Sequence, residues 1–221
     1  AGVEDAPVIS ADGNTFVFFF TPDGNIPPED QLLDSVTGVW WCKRSGNSWT
    51  EPERALLAEE SELHLDGPMA LCGNTLWFCS IRAGNYRDID LWTAELSGNE
   101  WLNWQNAGQQ INAIYQAGEN YLTADASTMY FGRTGDGLGY NDIWVTEQYG
   151  DLWSEPVNLG EPVNSGNDES RPFISADGSV LLFTRMLSEL GYAGPSIFRS
   201  FHTDSGWTVP EEIVSKYVGD R

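Results

Sequence analysis

Basic residues are scarce in this chain: 11 Lys+Arg stand against 33 Asp+Glu over 221 residues, a formal net charge of −22. Sequence-independent nucleic-acid binding draws its affinity from cations set against phosphates, so that class is excluded. An anionic membrane surface is repelled for the same reason. Long apolar runs are missing as well. No stretch approaches the roughly 20 residues a spanning helix needs, so no membrane insertion is expected. No basic-then-apolar leader precedes Ala1-Gly2-Val3, as in a processed form, and a secreted or periplasmic location is expected. Cysteine is limited to Cys42, Cys72 and Cys79. An odd number cannot all pair, and no CxxC or Cys/His cluster points to zinc. One disulfide or free thiols on strands both fit.

Helical periodicity is absent: the apolar runs are short and bounded by Gly, Asn and Asp, as in a β-protein. Aromatics are plentiful, with ten Trp, ten Phe and eight Tyr, and flat rings pack well on pleated sheets. They recur in register. Trp49, Trp101, Trp153 and Trp207 each follow a small polar turn, at spacings of 52, 52 and 54. Nine residues before each stands Trp40, Trp92, Trp144 or Phe198. A third series, SADGNTFVFF, LCGNTLWFC, TADASTMYF and SADGSVLLF, begins at Ser10, Leu71, Thr123 and Ser175. Each is a tight turn followed by an alternating strand.

One unit therefore reads strand, short turn, strand, long loop, strand, short turn, Trp-bearing strand. That is a four-stranded antiparallel meander of propeller-blade size. The expectation is an all-β chain: a single β-propeller domain spanning 1–221, four blades of four antiparallel strands each, near 4–60, 61–113, 114–164 and 165–221. The repeated rings are expected between blades.

The repeat resembles the TolB-type, WD-like β-propeller family. The resemblance rests on Ser-Ala-Asp-Gly at 10–13 and 175–178, Phe-Thr-Arg at 183–185 and Asn-Asp-Ile-Trp at 141–144. It continues through Trp-Ser-Glu-Pro-Val-Asn-Leu-Gly at 153–160 and Asn-Asp-Glu-Ser-Arg-Pro at 167–172. It departs at Cys72-Gly73 and in an enlarged first-unit loop of 27 residues from turn to aromatic, against 19, 18 and 20 elsewhere. Such families often have more blades, so four units make a ring or part of one. The resemblance implies the fold and says little about function.

In an antiparallel meander the long loops and crossovers share one side. Arg82, Arg87, Arg133, Arg171 and Arg185 map there, as do Tyr86, Tyr140 and Tyr192 and the acids Glu4, Asp66, Glu119, Asp168 and Glu169. Two readings stay open. Arg–carboxylate pairs tie blades together, or the groups line a cup for a small anionic or carbohydrate-like ligand, or a protein segment. The enzymatic alternative is a carbohydrate-active hydrolase or lyase using Glu4, Asp66, Glu119 and Glu169, or acid/base chemistry through His64. No G-x-S-x-G, GxxxxGK or HExxH motif occurs, which sets serine-hydrolase, nucleotide and zinc-protease chemistry aside. No cofactor is expected. Asp136, Asn141 and Asp142 form a loose calcium-like loop that lacks the terminal Glu.

Overall fold

The computed structural model describes residues 2–114, 120–189 and 192–214. The chain divides into two compact units, residues 1–117 and 118–221, and each holds two blades. In unit 1, blade 1 runs β1 (Val3–Ile9), β2 (Thr15–Thr21), β3 (Gly38–Ser45), β4 (Ser48–Trp49) and β5 (Glu53–Arg54). Its long loop carries one helical turn, α1 (Pro28–Gln31). Blade 2 runs β6 (His64–Cys72), β7 (Thr75–Arg82), β8 (Asp90–Ser97) and β9 (Glu100–Asn106), and α2 (Gln109–Ile114) follows it. In unit 2, blade 3 runs β10 (Asn120–Leu122), β11 (Thr128–Thr134), β12 (Asn141–Tyr149), β13 (Leu152–Trp153) and β14 (Val157–Asn158). Blade 4 runs β15 (Asp168–Ile174), β16 (Val180–Glu189), β17 (Tyr192–Thr203), β18 (Gly206–Trp207) and β19 (Glu211–Val214). Each is an antiparallel meander in chain order, so the chain is all-β and of the β-propeller class.

The fourth strand is split in three blades and continuous in one, and proline explains the difference. Pro52, Pro156 and Pro210 stand three residues after Trp49, Trp153 and Trp207, and Trp104 takes that place in blade 2. Proline has no N–H to give the ladder, so the pairing stops and resumes beyond it. The turns between first and second strands repeat one lock. Ser10 Oγ donates to Asp12 Oδ1 at 2.6 Å, Thr123 Oγ1 to Asp125 Oδ1 at 2.7 Å and Ser175 Oγ to Asp177 Oδ1 at 2.6 Å. The Ser175 hydroxyl, with the hydroxyl and amide of Ser179, holds the Asp177 carboxyl at about 2. These aspartates serve the turn.

The apolar side chains meet between blades. In unit 1, Val17, Val39 and Trp41 of blade 1 join Leu71, Leu76, Phe78 and Trp101 of blade 2 in one core cluster. Trp41 and Trp101 meet edge to face at 5.6 Å. In unit 2, Ile143 and Val163 cluster with Ile174, Leu181, Phe183 and Phe198. No disulfide joins Cys42, Cys72 and Cys79.

A second lock fixes the long loops and was not foreseen. Asp142 is buried, accepts from Leu138 N (2.6 Å) and Gly139 N (3.0 Å), and takes a bond from Asn158 Nδ2 (2.8 Å). Asn164 pairs with the backbone of Ile143 through both ends of its amide, at 2.8 and 2.9 Å, and donates to Asn158 Oδ1 at 2.7 Å. Asp90, Asn106 and Asn112 repeat this arrangement in blade 2. Replacing Asn164 with Ala leaves the buried Ile143 N–H without its partner, while the Ile143 carbonyl keeps the Leu159 amide, so a loss of about 1–3 kcal/mol is expected. Thermal or urea unfolding measures it.

Candidate functional site

The pleat decides where the arginines go. In blade 4, Arg185 lies opposite Glu169 across the ladder, on the face with Phe183 and Phe198. Its Nε donates to Glu169 Oε1 at 2.7 Å and its Nη2 to Val163 O at 2.8 Å. Glu169 is fully buried and also accepts from the Ser165 amide (3.0 Å) and hydroxyl (2.6 Å). The guanidinium covers the Phe198 ring at 4.7 Å. Asp66 occupies the same place in blade 2, opposite Ser80. Arg82 reaches it from two residues further along the strand, bonding Asp66 Oδ1 and Ser80 Oγ at 2.6 Å each and Leu57 O at 2.8 Å, and stacks on Trp92 at 4.6 Å. In both blades the arginine ties two strands to the crossover entering its own blade.

His64 belongs to this cluster, with Nδ1 at 2.6 Å from Asp66 Oδ2. Burial pushes the Asp66 carboxyl up, but the His64 hydrogen bond and the Arg82 charge outweigh it and leave it below the usual carboxylate range.

The remaining residues singled out from the sequence are dispersed. Arg133 is half-buried over the Trp144 ring at 4.8 Å. Exposed Arg87 donates to Asn112 O at 3.3 Å, and Tyr86 is exposed beside it. Glu4 is exposed on β1 opposite Phe20. Glu119 and the Tyr192 side chain lie outside the described residues. Of the calcium-like trio, Asp136 is exposed, Asn141 is half-buried and Asp142 is committed to its loop. Among the described residues no group of three or more His, Cys, Asp or Glu is placed to hold a metal.

One place gathers polar groups around open space. A cleft of about 430 Å³ in unit 2 takes Thr134, Tyr140 and Asn141 from blade 3. Blade 4 supplies Asp168, Ser170 and Arg171, with Thr184, Met186 and Pro195 as its wall. A β-bulge builds it. Between Ser170 and Phe173 the β15–β16 register slips, and Arg171 takes a left-handed backbone at φ 53°. Bulges re-aim a side chain, and a long side chain at positive φ is strained. Ala6 holds the same conformation at φ 47° in the matching bulge of blade 1. Blades 1 and 4 thus share the bulge, and of the two only blade 4 carries an arginine there. Tyr140 is 76% exposed at the rim. Asp168 accepts from the Asn141 amide at 3.3 Å.

No protein-family model matches the sequence, and no curated protein matches it. Solved structures do. The chain is similar to a puromycin-hydrolyzing peptidase of Mycobacterium tuberculosis (TM-score 0.52, 15% identity) over 97% of this chain and 29% of that one. It is similar to a putative TolB from Agrobacterium tumefaciens (0.51, 13%) over 97% of this chain and 63% of that one. A structure described as a glycoside hydrolase matches at 0.50 and 11%, over 97% of this chain and 50% of that one. The chain therefore spans less than two thirds of each. At such identities the likeness is one of fold alone, the β-propeller.

Two outcomes follow from the buried pairs. Arg185→Ala strands a fully buried carboxylate, so a loss of about 3–5 kcal/mol is expected, whereas Arg185→Met with Glu169→Leu recovers most of it. Urea unfolding of the three proteins checks this. The Asp66 carboxyl is depressed in the folded state, so its contribution is complete above the ordinary value of 3.8 and is lost as pH falls through the lower folded value. Asp66→Asn should flatten that acid limb in a stability–pH titration.

Proposed function

We propose that the protein is a binding propeller whose unit-2 cleft takes a small carboxylate-bearing, hydroxyl-rich ligand of the kind an acidic sugar presents. The observation that carries this reading is Arg171, turned to the cleft by a strained bulge beside Tyr140 and Asp168. A guanidinium offers a planar fork that fits a carboxylate. Asp168, Ser170 and Asn141 supply acceptors and donors for hydroxyls, Tyr140 a ring for a sugar face, and Met186 and Pro195 an apolar wall. On a chain of net charge −22, general attraction does not bring an anion in, so selectivity falls to this local fork.

Hydrolysis of a glycosidic bond asks for two carboxyls facing each other across a pocket. Asp168 is the one carboxylate among the described residues lining the cleft. Asp66 and Glu169 are held by arginines. These commitments favour binding over hydrolysis.

Titration calorimetry with glucuronate, and with glucose as the neutral counterpart, tests the proposal. Glucuronate should bind at least about tenfold more tightly than glucose, a difference of about 1.4 kcal/mol. Arg171→Gly suits the left-handed backbone and should keep stability within about 1 kcal/mol while abolishing that preference. Equal affinity for both sugars, or full binding by the variant, would overturn it.

A further inference from the structure

The cleft of unit 2 has two ends, and the chain fixes what stands at each. Tyr140 belongs to the first. Its neighbour Gly139 lies so close to the crossover that a Cβ there would collide with the Asn167 carbonyl oxygen. On the other side of Tyr140, the Asn141 amide donates to Asp168 Oδ1 at 3.3 Å. Both neighbours of Tyr140 are therefore seated at residues 167–168. Leu138 and Gly139 also give their amides to buried Asp142, which holds the loop in place. A ring 76% exposed is thus presented on a held backbone.

Arg171 belongs to the second end. The ladder is regular from Asp168 to Ser170, and the bulge begins beyond it. Arg171 follows Asp168 by three residues of β15, roughly 10 Å at about 3.3 Å per residue. Ser170 stands at this end, opposite Thr184.

One pyranose ring is shorter than that span. A sugar gripped by its carboxylate at Arg171 therefore leaves the Tyr140 end to a second unit. The volume agrees: a cleft of about 430 Å³ lies in the range of sites for drug-sized ligands, which are larger than one sugar ring. Charge decides which unit goes where. Asp168 sets a carboxylate at the Tyr140 end, where it repels a second anionic group and accepts from a hydroxyl.

We propose that the cleft holds two linked sugars. An acidic unit sits on Arg171, Ser170 and Thr184, and a neutral unit sits on Tyr140, Asn141 and Asp168. The inference rests on the cleft reading given above and narrows its ligand to a disaccharide unit with one carboxylate. All six residues belong to unit 2.

Titration calorimetry with glucuronate, glucuronosyl-glucose and glucuronosyl-glucuronate tests it. Glucuronosyl-glucose should bind at least about tenfold more tightly than glucuronate, and glucuronosyl-glucuronate less than about threefold more tightly. Tyr140→Ala should weaken glucuronosyl-glucose far more than glucuronate, so that the two bind nearly alike. Arg171→Gly should weaken both. Asp168→Asn keeps an acceptor for the Asn141 amide and removes the charge, so glucuronosyl-glucuronate should come to within about threefold of glucuronosyl-glucose. The thermal unfolding curve of each variant shows that it folds.

Three results overturn the two-sugar arrangement while the cleft reading stands. In the first, glucuronosyl-glucose binds no more tightly than glucuronate. In the second, Tyr140→Ala weakens the two ligands equally. In the third, the parent chain takes glucuronosyl-glucuronate as tightly as glucuronosyl-glucose. Loss of the preference for glucuronate over glucose overturns the cleft reading and this inference together.

Discussion

A propeller blade is a sheet that is apolar on both faces and encloses nothing by itself. Every other feature of this chain answers to that constraint. Stacking blade on blade buries Val17, Trp41, Phe78 and Leu76 in unit 1 and Ile143, Leu181 and Phe183 in unit 2. Stacking also brings strand ends and crossovers into a water-poor setting, where each polar group must find a partner. Asp142 with Asn158 and Asn164 satisfies the long loop in blade 3, and Asp90 with Asn106 and Asn112 does so in blade 2. Arg82 with Asp66 and Arg185 with Glu169 tie the first and second strands to the crossovers.

This division sets the buried charges that hold the fold apart from the exposed ones. A buried guanidinium held by a carboxylate, a carbonyl and a ring face has little freedom to meet a ligand. Arg82 and Arg185 are in that state. Arg171 differs in its backbone: a bulge interrupts the alternation that sends Glu169 inward, and the residue takes a left-handed conformation. A two-residue interruption of a strand thus determines whether an arginine is structural or faces a cleft.

The sequence made the blades legible because the aromatics recur in one register; Trp101 and Phe198 join the core clusters as expected, whereas Trp49 stays exposed against Phe16 of its own blade. The bulge was nearly legible: Ala6-Pro7 and Arg171-Pro172 share their place before the turn. The Asp–Asn–Asn lock left a signal that went unread, since Asn stands 16 and 22 residues after both Asp90 and Asp142. The fate of each arginine was not legible. Moving one residue along a strand changes its face, and Arg82 reaches the pair from two residues beyond the position that Arg185 and Arg133 hold. The long-loop side does not sort buried pairs from cleft residues, because both map to the same strand ends.

The proposed separation of structural arginines from a ligand-facing Arg171 is tested most directly by the Nε–H resonances of the arginine side chains in solution. Arg82 and Arg185 should exchange these protons with water slowly and stay unmoved when glucuronate is added, while the Arg171 resonance shifts with the titration. Rapid exchange at Arg82 and Arg185, together with glucuronate shifts there and none at Arg171, would contradict the account.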